Sequence, residues 1–474
     1  MPVYFGEMHT HTYCGGSVFG TVEEAAEIAR KHLDFWAPGE HADHPRFDWE
    51  RIVKAVRGVN EEGKFVAFPG FEVACTDGDF NAYFPRDDVP PFAYEEETLD
   101  LEEFFDHTRK HGGIVVPHHT GYKVGCRGMQ WDRFYRPDLM PVVEIFSMHG
   151  SSESDDSPYP LDLGWMGPRE QGGCVIEGLK RGFRFGFIAS SDGHNAYPGS
   201  YGMGLAAVVA DELTREAIFK ALREKRCYAV TCDRILLDFR LDDVPFGDEV
   251  EAGRREVHLS VRGLDALDCV DVVKNGRIVK RFCPIVGAER GNGSGPFVVR
   301  IGWGWGPSGR YEWEGWLEVK DGLLSRVVPC FGPPPPDDFE VEGNSVRWRS
   351  TTHGYNANWT TNRYRCGDEC ALVLEIEGDK GTIIDVEVGS LRLRTSVGEL
   401  LEGSKIQMGF VPAPKKAPWA VPKLKFYTAV PKRLFALEAE FEDEARPGDF
   451  YYLRVRQCNG QMAWSSPVFC VERS

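Results

Sequence analysis

From the amino terminus to about residue 230, short apolar runs alternate with amphipathic stretches. The runs place apolar side chains at consecutive positions, as strands buried on both faces do, in the manner of parallel sheets. They predict strands near Val3 to His9, Leu33 to Pro38, Phe65 to Val73, Gly113 to His118, Val142 to Ser147, Arg184 to Ser190 and Leu205 to Ala210. Helices fit between most of them. Thr21 with Glu24 three residues later makes a capping box, and Ala25, Ala26, Ile28 and Ala29 give the following helix its apolar face. A second helix starts around Asp100 with Glu103 and stops at Gly112-Gly113; Thr214 opens a third, with Ile218, Phe219 and Leu222 on one side. Seven strands with intervening helices predict an α/β fold, a closed or nearly closed β/α barrel rather than an open doubly wound sheet.

Beyond residue 230 the period changes to strict alternation, as in Glu256-Val-His-Leu-Ser-Val-Arg262 and Tyr451-Tyr-Leu-Arg-Val-Arg456, broken by Gly, Pro, Asp and Asn turns. This half reads as an all-β, sandwich-like domain over 231–474, following a barrel over 1–230. Gly332-Pro-Pro-Pro-Pro-Asp337 is a stiff connector with strand patterns on both sides. It reads as a long loop, with a boundary between two β subdomains near 332–338 as the alternative.

Composition narrows the partners. A chain of 474 residues exceeds what one core usually supports, which agrees with two domains. With 55 basic against 73 acidic side chains, the formal charge of -18 repels a phosphate backbone and an anionic membrane alike. The expectation is a small-molecule substrate, with neither nucleic acid nor membrane. Met1 leads straight into an apolar run without a signal-peptide pattern, and no stretch has the length of a membrane span. The 13 cysteines are odd in number and form no C-x-x-C pair, so reduced thiols and a cytoplasmic location are expected.

The histidines carry the chemistry. Eleven of the 13 lie at or before position 194, leaving only His258 and His353 in the all-β half. His9 with His11, His41, His118 with His119, His149, and Asp192 with His194 each fall at the carboxyl end of an expected strand, the face on which β/α barrels build their sites. Residues i and i+2 of a strand point the same way, so His9 with His11, and Asp192 with His194, can each close on one ion. Glu72 adds a carboxylate. Six imidazoles and two carboxylates suit Zn²⁺, Mn²⁺ or Fe²⁺ better than Ca²⁺ or Mg²⁺. Each pair alone is weak evidence; their recurrence at five or six strand ends is what points to a polynuclear site.

The ordered set Gly6-Glu-Met-His-Thr-His11, Gly39-Glu-His-Ala-Asp43, Gly70-Phe-Glu72, Pro117-His118, Met148-His149 and Ser191-Asp-Gly-His194 resembles the PHP superfamily, the polymerase-and-histidinol-phosphatase metal hydrolases. The resemblance covers about residues 1 to 230. It implies a distorted seven-stranded β/α barrel with two or three divalent ions. In that reading His9, His11, Glu72 and Asp192 hold one ion, His41 and His194 a second, and His118 and His149 a third. Glu72 bridges two of them, and His9, His11, Glu72, Asp192 and His194 serve catalysis. The stretches Cys227-Tyr-Ala-Val-Thr231, Arg234-Ile-Leu-Leu-Asp-Phe239 and Ala463-Trp-Ser-Ser-Pro467 resemble a bacterial branch of this superfamily with an appended β domain.

One departure stands out. Many PHP proteins follow H-x-H with a further acidic or histidine ligand, where this chain has Tyr13-Cys-Gly-Gly-Ser17. Cys14 is either a thiolate ligand favouring Zn²⁺ or, more plainly, a small buried turn residue. His119 is a substrate contact, a residue that supports a ligand from behind, or a solvated neighbour, and Lys123 and Arg127 are candidate substrate contacts as grips for a phosphate or carboxylate. Solvated side chains are the plainer reading of Lys123 and Arg127. Asp43 and His44 could orient His41, while Glu153, Asp155 and Asp156 read as a surface acidic run. The stretch Gly302-Trp-Gly-Trp-Gly306, with Trp313 and Trp316, could contact a glycan, although core packing is the commoner role of such residues.

The leading expectation is a phosphoesterase acting on a small phosphate ester through a metal-bound hydroxide. An alternative keeps the site but hydrolyses a carboxylic ester, amide, lactone or sulfate ester. A third expectation is a non-catalytic carbohydrate- or protein-binding protein with structural metals.

Overall fold

The computed structural model describes residues 1–92, 94, 99–163, 166–288, 295–307, 309–331, 339–353, 369–410 and 419–473. The connector at Gly332 to Asp337 therefore lies outside the described residues.

The α/β half runs β1 (Val3–Glu7), α1 (Val22–His32), β2 (Phe35–Trp36), β3 (Glu40–His41), α2 (Trp49–Val59), β4 (Val66–Ala67), β5 (Gly70–Cys75), β6 (Gly78–Tyr83) and α3 (Leu101–Lys110). It continues with β7 (Ile114–His118), α4 (Trp131–Phe134), β8 (Val142–Ser147), β9 (Gly150–Ser151), α5 (Val175–Lys180), β10 (Gly186–Ala189), β11 (Leu205–Val209), α6 (Arg215–Arg223) and β12 (Cys227–Val230). Thr21 and Glu24 form the reciprocal capping box at the start of α1, and Asp48, Asp100 and Thr214 cap α2, α3 and α6.

Two expectations are corrected. The run Phe65 to Val73 is two strands rather than one, β4 and β5, separated by Phe68-Pro69, because proline supplies no ladder donor. The sheets are also mixed, not parallel throughout. Parallel pairs join β1 with β2, β2 with β4, β3 with β5 and β8 with β10, whereas β5–β6–β7 and β1–β11–β12 are antiparallel. Burial on both faces, which periodicity detects, does not distinguish the two directions. β7 packs beside β8, and β10 beside β11 and β12.

The β half follows β12 and is joined to the first half by backbone pairing. β12 pairs on one edge with β11 and on the other with Met462–Ser465, so the sheet holding β1 continues into the carboxyl-terminal strands Phe450–Gln457 and Val468–Val471. Gly253–Arg262 pairs along its length with Ala436–Ala445 in a four-stranded sheet. Two further antiparallel sheets, one around Phe297–Gly304 and one around Arg310–Lys320, share a core that includes Ile301, Trp303, Leu317, Trp348, Leu372 and Val386. Among the described residues the cysteines form no disulfide.

Candidate metal centre

β1 ends at Glu7, and the chain continues extended through His9 and His11 beside residues 192–193. Asp192 N donates to His9 O at 2.8 Å and His11 N to Gly193 O at 3.0 Å. This pairing turns both imidazoles toward Asp192, with ring centroids 5.1 Å apart. β3 lies against β5 with His41 opposite Glu72, and β6 against β7 with Asp79 opposite His118. His149 sits in the turn between β8 and β9, held by Met148 N on Ser191 O at 3.0 Å. Asp192 and His119 have left-handed backbones (φ 53° and 31°), a conformation that non-glycine residues adopt where the surrounding structure enforces it.

Two carboxylates organise the imidazoles. Glu72 Oε2 stands 3.3 Å from the Nε2 atoms of His9 and His11 and 3.4 Å from His41 Nδ1, while Oε1 faces His118 Nε2 at 3.2 Å. Asp192 Oδ1 faces Nε2 of His9 at 3.4 Å and of His11 at 3.2 Å, and Oδ2 faces His149 Nε2 at 3.0 Å. His194 stacks on His11 at 4.1 Å, and His11, His41 and His194 offer nitrogens within 4.8 Å of one another. The geometry thus brings together all eight residues expected as ligands. It also shows what spacing did not: Asp192, like Glu72, spans two groups of imidazoles.

The outward nitrogens explain why the inward ones are available. His9 Nδ1 faces Glu144 Oε2 at 3.1 Å, His11 Nδ1 faces Gly15 O at 3.1 Å and His194 Nδ1 faces Asp192 O at 3.1 Å. With Nδ1–H donating to these oxygens, each Nε2 keeps its lone pair toward the centre. Asn81 stands 3.2 Å from His118 Nδ1; with its amide oxygen turned there, His118 has the same tautomer and the otherwise orphaned Asn81 Oδ1 gains a donor. His118 Nε2 is buried without a hydrogen-bond partner, a lone pair directed at Glu72.

Electrostatics follow the same pattern. Burial pushes Glu72 and Asp192 up, but His41 and His118 around the first, and His9 and His149 around the second, hold both carboxyls well below the usual range. Burial lowers His41 and His118 and takes His194 down to about 3, leaving them neutral near pH 7. His9 and His11 are raised despite burial, by Asp192 and Glu144 around His9 and by Asp192 and Glu72 around His11. Ionised carboxylates, neutral imidazoles and an attraction for positive charge at one point form a donor set that fits divalent cations.

Glycine makes the crowding feasible. A Cβ on Gly16 (φ 127°) would lie 2.9 Å from His41 Cδ2 and 3.1 Å from His11 Nδ1, and one on Gly39 would lie 2.6 Å from His9 Cδ2. Cys14 takes no part: its Sγ turns away toward the carbonyls of Arg46 and Asp48, and burial raises its pKa to about 11. Of the candidate substrate contacts, His119 Nε2 and the Arg127 guanidinium both meet Asp79 Oδ2, at 3.1 and 3.0 Å, and Lys123 is exposed. Asp43 and His44 belong to the turn after His41, where His44 Nδ1 accepts from Arg46 N at 3.1 Å.

Glu153 corrects an expectation. It is fully buried rather than part of a surface run, bonded to Tyr452 Oη at 2.6 Å and to Arg454 and Trp464 Nε1 at 3.0 Å. Trp303 and Trp313 are core residues bonded to Ser350 and Thr352, and Trp316 lines a separate cavity of about 470 Å³. The supporting acids Asp79 and Glu144 escaped sequence reading, as did Glu7, which accepts from His9 N and Ser191 N, and Glu40, which accepts from Thr12 N. Glu144 had a signal: one carboxylate within Val142-Val143-Glu-Ile145-Phe146 is out of place unless it has a partner.

No protein-family model matches the chain. It is similar to an uncharacterised protein of Chlamydia pneumoniae, 30% identical over 277 residues that make up 53% of this chain and 44% of that protein. A Chlamydia trachomatis protein, also uncharacterised, is 27% identical over 49% of this chain and 40% of its own length. The chain spans less than half the length of the curated relatives it matches. Among solved structures, one from Bacteroides vulgatus is described as a two-domain protein containing a predicted PHP-like metal-dependent phosphoesterase. It has TM-score 0.35 and 13% identity, over 83% of this chain and 95% of that one. The lesion-specific endonuclease PfuEndoQ of Pyrococcus furiosus has TM-score 0.32 and 17% identity, over 47% and 56%.

Proposed function

We propose that the chain is a metal-dependent hydrolase of the PHP type, a phosphoesterase acting on a small phosphate ester. In this proposal residues 1–230 form a distorted seven-stranded β/α barrel and residues 231–474 a sandwich-like β domain of the bacterial branch. The observation that carries it is the convergence of five imidazoles, those of His9, His11, His41, His118 and His149, on Glu72 and Asp192, with His194 stacked on His11 and Nδ1 of His9, His11 and His194 directed to oxygen acceptors. His9, His11, Glu72 and Asp192 would hold one ion, His41 and His194 a second beside His11, and His118 and His149 a third. Zn²⁺, Mn²⁺ or Fe²⁺ bound there would acidify a coordinated water and polarise the ester oxygen under attack.

The chain's own residues then have defined tasks. Glu72 and Asp192 each present both carboxylate oxygens to different imidazoles and would supply the negative charge that holds the ions among them. Glu144 orients His9, and Asn81 orients His118. Asp79 gathers His119 and Arg127 at the edge of the centre, where they border an incoming substrate.

Arg127 already has Asp79 as a counter-ion, so a phosphate must find most of its positive charge in the ions. This favours one second reading, a carboxylic ester, amide, lactone or sulfate ester at the same centre. The reaction is proposed to occur in the cytoplasm without nucleic acid or membrane, and glycan contact by the Trp316 surface remains a separate proposal. Assays of p-nitrophenyl phosphate, p-nitrophenyl acetate and p-nitrophenyl sulfate with Mn²⁺-loaded and Zn²⁺-loaded protein decide the ester class. Metal-dependent release from the phosphate, lost in His9→Ala and Asp192→Ala, is expected; turnover that survives chelation or both substitutions contradicts hydrolysis at this centre.

A further inference from the structure

A cavity of about 670 Å³, the volume of a pocket for a small organic ligand, lies next to the centre and draws its walls from both halves of the chain. His149, whose Nε2 stands 3.0 Å from Asp192 Oδ2, is one lining residue; Tyr159, Leu161 and Arg169 are others, and Gln461 comes from the carboxyl-terminal turn Cys458 to Gln461. The wall is tied to the metal ligand, since Asp162 N donates to His149 O at 2.8 Å and Tyr122 Oη joins His149 Nδ1 to Asp162 O. We infer that this cavity receives the alcohol part of the substrate, and that this part is an uncharged ring of nucleoside or sugar size bearing hydrogen-bond acceptors. The inference rests on the hydrolase reading for the position of the ester, not for the cavity.

Three observations define the ring's chemistry. Tyr159 is half exposed on a left-handed backbone (φ 54°), so a large aromatic face is held at the rim where it would otherwise be buried or absent. Gln461 Oε1 is fixed by Thr231 Oγ1 at 2.8 Å and Asp233 N at 3.2 Å, which turns Nε2 outward as a donor toward Gly202, itself a lining residue. Among the described lining residues the one guanidinium, Arg169, is matched by Asp155 at 2.6 Å, and the Asp162 carboxylate lines the same space, so the cavity does not offer net positive charge. An aromatic face and a neutral donor select a ring with acceptors, and disfavour a second anionic group on the substrate.

Gly460 makes the junction. Its φ of 85° forms the turn that carries Gln461, and a Cβ there would lie 3.0 Å from Tyr159 Oη.

The test uses the full chain and product-like alcohols that need no turnover: uridine, methyl glucoside and, as a ringless control, glycerol, titrated by saturation-transfer NMR. Uridine or methyl glucoside should saturate while glycerol does not, and Tyr159→Ala or Gln461→Leu should weaken that binding by roughly fivefold. Circular dichroism of each variant establishes that it is folded; Tyr159, being half exposed, decides the matter should Gln461→Leu unfold. Absence of ring binding, or binding unchanged in folded Tyr159→Ala, overturns the inference. Ring binding without hydrolysis of any ester would retain it and remove the hydrolase reading; hydrolysis without ring binding would do the reverse.

Discussion

His9 presents Nδ1 to Glu144 and Nε2 to both carboxylates, so its tautomer is set from behind. Glu144→Gln keeps the volume but removes that acceptor's charge. It should weaken metal affinity by roughly tenfold to a hundredfold, measured by competition with a chelating dye; affinity within twofold of wild type would show that Glu144 does not support the ligand. His32 provides a second test at this scale. Its ring is partly buried, bonded to Pro198 O at 2.8 Å, and loss of solvent lowers its pKa to about 4 from an ordinary 6.5. The unfolded chain therefore binds the extra proton between these values. The stability from neutral His32 is full above about pH 6.5 and falls toward pH 4, on the order of 3 kcal/mol. Urea unfolding across this range should show a steeper acid loss for wild type than for His32→Gln, and parallel curves would refute it. The side chains that converge on Glu72 and Asp192 were legible because histidine is rare and falls at the ends of the expected strands. Glu7, Glu40 and Asp79 were not, because nothing local marks a carboxylate whose partners are distant in sequence.

At the scale of elements, helix starts were easier to read than strand directions. A cap is a bond between residues three apart, and Thr21 with Glu24 forms it as expected. Thr21→Ala should cost about 1 kcal/mol in denaturant unfolding, and adding Glu24→Ala should cost less than the sum, since the box is reciprocal; full additivity would contradict this. The hairpin of β5 and β6 was not legible. Thr76-Asp77 joins two largely apolar strands, but Asp79 and Asn81 break the apolar run of β6 because they serve His119 and His118. Functional polarity thus erased the pattern that identifies a strand.

Over the whole molecule, the change of texture near residue 230 is real in the sequence, yet backbone pairing crosses it. β12 hydrogen-bonds to Met462–Ser465, and Glu153, four residues after His149, lies among Tyr452, Arg454 and Trp464. Arg454 also meets Asp271 at 3.0 Å, which Arg281 grips in turn. Arg454→Met leaves Glu153 and Asp271 short of a buried cation and should cost about 3 kcal/mol. Adding Glu153→Gln should recover part of that loss; an unchanged thermal midpoint in Arg454→Met would contradict the link. Such long-range pairings have no local signature, so the role of the β half was the least legible feature of the chain.

The central claim is that one side-chain set gathers several divalent ions. Elemental analysis of anaerobically purified protein tests it most directly. The account predicts at least two equivalents of Mn, Fe or Zn per chain, falling by one or more in folded His11→Ala; less than one equivalent of any transition metal after reconstitution would contradict it.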